Sequence, residues 1–220
     1  MTKPAIPLAQ QVKAVLLERI ASGGLRPGDR VRESELAAEV GASSIPVREA
    51  IRELVAIGVL DFAPRRGAWV RKVSLQETIE SLEVKAVLEK LAAKTASDRL
   101  CGKCGSLRKT VRRIVAAAKR GDFIEFQRHN HEFHRAIVAA SGNRALVRTW
   151  DSLAFDVRTK FILDFLATVD PVKVAREHER IVAALDQGDA RASARLLVTH
   201  SRQLIKYLND EIESAVRAAS

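Results

Sequence analysis

Two cysteines in 220 residues are too few for a disulfide framework, so a small secreted scaffold is excluded and both should stay reduced thiols. No stretch approaches the ~18 consecutive apolar residues of a membrane-spanning helix. Met1 to Pro7 lacks the basic start and apolar run of a secretory signal, so a cytosolic, cytoplasmic protein with no membrane partner is expected. Beyond residue 73 there is no sustained period-2 alternation, which argues against a sheet there. Internal repeats, low-complexity tracts, a Gly-rich phosphate loop and a Ser-His-Asp arrangement are also missing. What is present is an apolar content of 47% and a formal net charge of +10. The first makes the chain globular, and its length allows one or two domains with real cores. Residues 1–72 hold 12 basic against 8 acidic residues and residues 73–220 hold 25 against 19. The positive excess is thus spread over both parts, and it fits a polyanionic partner without locating one.

Residues 31–72 are the most informative segment. Leu36, Ala37 and Val40 make the apolar side of a short helix that Gly41 ends. Ser43 and Ser44 can cap a second helix, with Pro46 tolerated in its first turn. Val47, Ala50, Ile51, Leu54 and Val55 recur at helical spacing, while Arg48 and Arg52 sit four apart on the other face with Glu49 and Glu53. Leu60 to Phe62 and Ala68 to Val73 read as two strands around the turn Ala63-Pro64-Arg65-Arg66-Gly67. Helix, turn, helix and a basic-tipped hairpin describe a winged helix, whose second helix enters the major groove while the hairpin holds the backbone. A helix over 8–22, carrying Leu8, Val12, Val15, Leu16 and Ile20, completes its core. The candidate DNA-contacting residues are Arg32, Ser43, Ser44, Ile45, Pro46, Arg48, Arg52, Arg65, Arg66 and Gly67. The bland alternative for Arg48 and Arg52 is a solvated face paired to Glu49 and Glu53.

The expected fold class is mainly α: a winged helix-turn-helix over residues 1–73, then an all-α six-helix antiparallel bundle over 76–220. Ser74 with Glu77 forms a capping box at the join. Six helices are expected near 75–98, 106–119, up to 140, 144–168, from 171, and 190–216. His134, His178 and His200 fall on three of them, each flanked by apolar residues, so three imidazoles can converge inside the bundle. His131-Glu132-Phe133-His134 is one residue short of a zinc-protease pattern. Cys101-Gly102-Lys103-Cys104 lacks a second ligand pair. The basic run from Arg108 to Arg113 reads as a solvated helix face.

The first segment closely resembles the GntR family of bacterial transcription regulators, through Leu25, Pro27-Gly28, Glu35-Leu36-Ala37, Gly41, Pro46-Val47-Arg48-Glu49-Ala50, Gly58 and Arg66-Gly67. Ser44 and Ile45 depart from the Arg and Thr that relatives often carry. The missing Arg removes a possible guanine contact at the helix entrance. The bundle resembles the FCD effector domain of the FadR-like branch, through Glu83, Glu89, Phe133-His134-Arg135, Ser141-Gly142-Asn143, Trp150, Glu177-His178, Gly188-Asp189 and His200. The resemblance implies that residues 76–220 are an effector-binding and dimerisation domain, with a divalent metal, zinc or nickel, at Asn130, His134, His178 and His200. Relatives carry Asp at the position of Asn130, and a neutral amide should hold a dication less tightly. Glu83-Val84-Lys85 stands where many relatives read Glu-x-Arg, which implies that Lys85 meets the carboxylate of a small organic acid effector.

The expected function is that of a ligand-responsive repressor binding a palindromic DNA operator as a homodimer, because one recognition helix contacts too few base pairs for specificity. A dedicated metal-ion sensor fits the same residues. An all-helical metalloenzyme is a third reading, in which only Glu132 and Glu177 offer themselves as bases.

Overall fold

The computed structural model describes residues 6–153 and 159–219. It divides into two compact units, one ending at Val73 and the other beginning at Ser74.

In the first unit, Val12, Leu16 and Ile20 recur every four residues, and all three are buried along one side of α1 (Leu8–Ala21). Helix α2 (Glu33–Val40) stops at Gly41, whose φ of +63° is a left-handed conformation that a side chain would strain. Helix α3 (Ser44–Ala56) then buries Val47, Ala50, Ile51 and Leu54 in one cluster with Leu16 and Leu36. Each such aliphatic side chain contributes about 1.5–3 kcal/mol on burial. Strands β2 (Leu60–Ala63) and β3 (Gly67–Val70) form the hairpin, with Leu60 opposite Val70 and Ala63 opposite Gly67. A third strand, β1 (Arg30–Val31), pairs antiparallel with β3 to give the order β1-β3-β2. Two residues are too few for alternation to register, so β1 was invisible in the sequence. The last strand also ends at Val70 rather than Val73.

The second unit is helical. Helix α4 (Leu75–Leu100) opens on the expected capping box: the Ser74 hydroxyl accepts from the Glu77 amide at 3.1 Å, and the Ser74 amide donates to the Glu77 carboxylate at 2.9 Å. It is followed by α5 (Gly105–Arg120), α6 (Phe123–Ala140) and α7 (Arg144–Asp151), then α8 (Thr159–Thr168), α9 (Pro171–Asp186) and α10 (Ala190–Ala219). Asp122, Asn143 and Asp170 cap α6, α7 and α9 through side-chain oxygens. The single helix expected over 144–168 is instead two, α7 and α8. Helix α7 is closed at Ser152, and residues 154–158 lie outside the described part. Seven helices therefore stand among the described residues where six were expected.

Phe126, Phe133, Ile137, Ile181, Leu185 and Leu197 fill the middle of this unit. Leu91 of α4 is half exposed. Arg108, Lys109, Arg112 and Arg113 are exposed, as a solvated face should be. Cys101 and Cys104 are both free, and burial pushes the Cys104 thiol up to about 11, which keeps it unreactive at neutral pH.

Candidate functional site

Helix α3 presents one face to the core and the other to solvent. Ser43, Ser44, Ile45, Arg48 and Arg52 are exposed at its start and along its outer side. Pro46 is half-buried in its first turn. Ser43 occupies the cap position, but its side chain makes no capping hydrogen bond, so its hydroxyl stays available to an outside partner. Arg48 Nε donates to Glu33 Oε2 of α2 at 2.8 Å, not to Glu49 or Glu53. Glu53 instead takes Lys13 at 3.0 Å. Arg52 has no ion pair among the described residues. The solvated-face alternative, with both arginines paired to their own helix, is therefore not what forms. Arg32 pairs with Glu35 on the surface at 3.1 Å.

At the wing, Arg65 takes a φ of +65°, which costs a non-glycine residue about 1–2 kcal/mol. Gly67 follows with a φ of +78° and pairs with Ala63. The tight turn leaves Arg65 and Arg66 exposed at the tip, with the Arg66 guanidinium 5.7 Å from the Trp69 ring centroid.

In the second unit, α6, α9 and α10 bring His134, His178 and His200 together. Ring centroids are 5.6 Å apart for His134 and His178, 5.4 Å for His134 and His200, and 4.5 Å for His178 and His200. One nitrogen from each lies within 4.8 Å of the other two. Asn130 sits one turn before His134 on α6 and joins them. Burial, with the other two imidazoles adding to it, holds His178 well below its ordinary pKa. Burial likewise takes His134 down to about 4, against the pull of Glu89. Both rings are therefore neutral at pH 7, which is the form that ligates metal.

The hydrogen bonds fix which nitrogens are free. His178 Nδ1 donates to the carbonyl of Ala175 at 3.0 Å. In a neutral ring that leaves Nε2 as a lone pair, yet the carbonyl oxygen Oδ1 of Asn130 lies 2.8 Å from it. Two acceptors at that distance repel, and either a cation beside them or the turned amide, with Nδ2 donating to the ring, relieves the repulsion. His200 Nδ1 donates to Glu177 Oε2 at 2.7 Å, and Gln203 donates to the other oxygen at 2.6 Å. Backbone carbonyl and carboxylate partners on Nδ1 are what orient metal-bound imidazoles. His134 has no hydrogen bond at either ring nitrogen; its Nδ1 is 3.1 Å from Glu89 Oε1, but out of line. A buried imidazole left so costs about 1–3 kcal/mol unless something else satisfies it. The donor set of three imidazoles and one amide oxygen fits a divalent transition metal.

Lys85 is buried beside this cluster, with Nζ 2.7 Å from Glu89 Oε1. Trp150 Nε1 donates to the same oxygen at 3.1 Å. Burial works against the Glu89 carboxylate, but the His134 ring and the Lys85 ammonium more than offset it, and its pKa is lowered. Because His134 is itself neutral, Lys85 is the cation that carries this pairing. The sequence reading missed Glu89 as the anion that holds Lys85, and Glu33 as the partner of Arg48. The four-residue spacing of Lys85 and Glu89 was a usable signal for the first. Nothing local signals the second, because its partners lie on two helices.

The description "Bacterial regulatory proteins, gntR family" fits residues 8–70, and the FCD domain fits residues 80–203. The "Probable D-xylose utilization operon transcriptional repressor" of Paenarthrobacter nicotinovorans is 32% identical over 216 residues, 96% of this chain and 95% of that protein. The "HTH-type transcriptional repressor RspR" of Escherichia coli is 24% identical over 91% of this chain and 89% of its own length. Among solved structures, Escherichia coli McbR/YncC superposes with a TM-score of 0.82 at 24% identity, covering 94% of this chain and 99% of that one. That likeness shows the fold: a small winged sheet followed by a helical domain. With both domain profiles satisfied in order and a relative matched end to end, the chain belongs to the gntR family of bacterial regulatory proteins, in the branch that carries an FCD domain, and is a transcription regulator rather than an enzyme.

Proposed function

We propose that this regulator is a repressor that binds a palindromic operator as a homodimer, and that a small organic acid controls it at a metal held by His134, His178 and His200. Three imidazoles with one nitrogen each within 4.8 Å of the others, of which the buried His134 has no hydrogen-bond partner at either ring nitrogen, are the observation that carries the sensing half. The repressor sign is drawn from the names of the two relatives above. A bound divalent ion would supply an electrophilic position for a carboxylate oxygen. Asn130 would complete the protein donors, weakly, because its oxygen is neutral. Glu177 and the Ala175 carbonyl orient two of the rings. Lys85 is the nearby cation for an effector carboxylate, and it would have to share its ammonium with Glu89. Effector and operator then compete or cooperate through a coupling of about 1–3 kcal/mol. A dedicated metal sensor is separated from an acid sensor by titrating zinc or nickel alone against operator affinity.

For the DNA half, Ser43, Ser44, Ile45, Pro46, Arg48 and Arg52 are assigned to the major groove and Arg32, Arg65, Arg66 and Gly67 to the backbone. The test starts from an operator recovered by selection from a random duplex pool. Arg48→Ala should weaken that complex by about 1–3 kcal/mol and relax specificity at one base pair. Unchanged affinity in a folded Arg48→Ala, Arg52→Ala double variant removes the groove assignment. Arg66→Ala should instead weaken all duplexes alike and reduce the slope of log affinity against log salt by about 1. A wing variant that changes sequence preference but not the salt slope contradicts the backbone role. For the sensor half, a panel of mono- and dicarboxylic acids is screened by thermal shift, and each hit is measured against the operator. Acids that stabilise Lys85→Ala as well as wild type place the effector elsewhere.

A further inference from the structure

The outer stripe of α3 begins with a side chain that can make no hydrogen bond. Ile45, Arg48, Glu49 and Arg52 are all exposed, and their spacing of three and four residues puts them on one face of the helix. Three of the four are charged. Ile45, in the first turn, is 68% exposed. It belongs neither to the buried cluster of the winged unit nor to the groove in which Phe62 is joined by Ile51, Val55 and Ala56. A protein interface is centred on contiguous apolar area. Ile45 is instead a single apolar side chain, placed along the chain between the exposed hydroxyls of Ser43 and Ser44 and the exposed guanidinium of Arg48.

The edges of the base pairs in the major groove sort such side chains by chemistry. Guanine, adenine and cytosine present hydrogen-bonding groups there and no methyl, whereas thymine adds a methyl at C5. An isoleucine laid against the first three covers their donors or acceptors without pairing them, which is unfavourable. Against thymine it buries hydrocarbon on hydrocarbon. The branch at Cβ also holds an isoleucine in essentially one χ1 rotamer within a helix, so little side-chain freedom is lost on contact. An α-helix rises about 1.5 Å per residue and stacked base pairs are about 3.4 Å apart, so side chains at positions 45 and 48 reach bases roughly one to two pairs from each other.

We propose that Ile45 reads the C5 methyl of a thymine in the operator half-site, within about two base pairs of the base that Arg48 reads. The inference rests on the assignment of α3 to the major groove and adds one specified base to it. Cytosine is disfavoured at the same place, because its N4 amino group would meet hydrocarbon where it needs an acceptor.

The test uses the full chain and the operator recovered from the random duplex pool. Each thymine of that operator is replaced in turn by deoxyuridine, which lacks only the methyl. Replacement at the contacted position should weaken wild-type binding about fourfold, the worth of one buried methyl group. Moving the methyl to another base separates it from base pairing. With 5-methylcytosine at that position, opposite guanine, binding should be about fourfold tighter than with cytosine there. Ile45→Ala, which withdraws the side chain beyond Cβ, should lose both differences and still melt as wild type does, because the position is exposed. An operator in which no thymine is sensitive to loss of its methyl overturns the contact and leaves α3 in the groove. So does a sensitivity that persists unchanged in Ile45→Ala. So does a sensitive thymine more than about three base pairs from the position at which Arg48→Ala relaxes specificity. If Ile45→Ala and Arg48→Ala both keep wild-type affinity and sequence preference, or if the pool yields no preferred sequence, the groove assignment itself falls and the methyl contact with it.

Discussion

Glu89→Ala should destabilise the protein by about 3–5 kcal/mol in urea unfolding, because it removes the carboxylate of a buried ion pair and leaves the Lys85 ammonium buried without that anion. Lys85 and Glu89 have side chains 10% and 1% exposed and stand 2.7 Å apart. The carboxylate is also the acceptor for the Trp150 indole, so its removal leaves two buried donors without it. For a chain of this length, such a loss lowers Tm by roughly 6–20 °C. The double variant Lys85→Met, Glu89→Leu separates charge from packing. An apolar pair of similar volume removes the buried charges and leaves mainly the loss of the indole hydrogen bond to Glu89, at about 1–3 kcal/mol. A loss below about 1 kcal/mol in Glu89→Ala would show that the carboxylate and ammonium are not a buried pair.

Protein purified without a polyhistidine tag should carry close to one divalent metal per chain, and His178→Ala should carry almost none. Metal that binds only the folded state stabilises it by about 4 kcal/mol at a free concentration of 1,000 times Kd. Chelation should therefore lower the wild-type Tm by roughly 8–16 °C. The same chelator should leave His178→Ala unmoved, which separates loss of metal from the packing cost of the substitution. Equal shifts in the two proteins, or full metal content in a variant lacking all three histidines, would move the site elsewhere. Asn130→Asp should tighten binding on the order of tenfold, about 1.4 kcal/mol, by placing a negative charge beside the ion.

Much of the winged unit was legible because its signals are local. Gly41 must take a positive φ and so ends α2; Val47, Ala50, Ile51 and Leu54 share a face because 3.6 residues make a turn. The capping box at Ser74 and Glu77 was legible for the same reason: both partners lie within four residues. The break between α7 and α8 was not, since the apolar spacing over 144–168 does not carry a stop signal there. Nor was the exposure of Leu91 on α4 legible, because periodicity says which residues share a face, not whether that face is covered.

The sequence by itself determined most of the helices and the wing hairpin, since caps, breakers and periodicity act over a few residues, while Asn130 entered the candidate ligands only through the family resemblance. Composition and spacing placed His134, His178 and His200 on helices with apolar neighbours. Only the tertiary structure decided that α6, α9 and α10 bring the three rings to 4.5–5.6 Å of one another. It also decided that Asn130 faces His178, that Glu89 holds Lys85, and that Arg48 reaches Glu33 rather than its own helix. The physical reason is that each of these is a contact between residues whose distance is set by how helices pack, except Lys85 and Glu89. For that pair the spacing was local, and burial, which gives the pair its energy, was not.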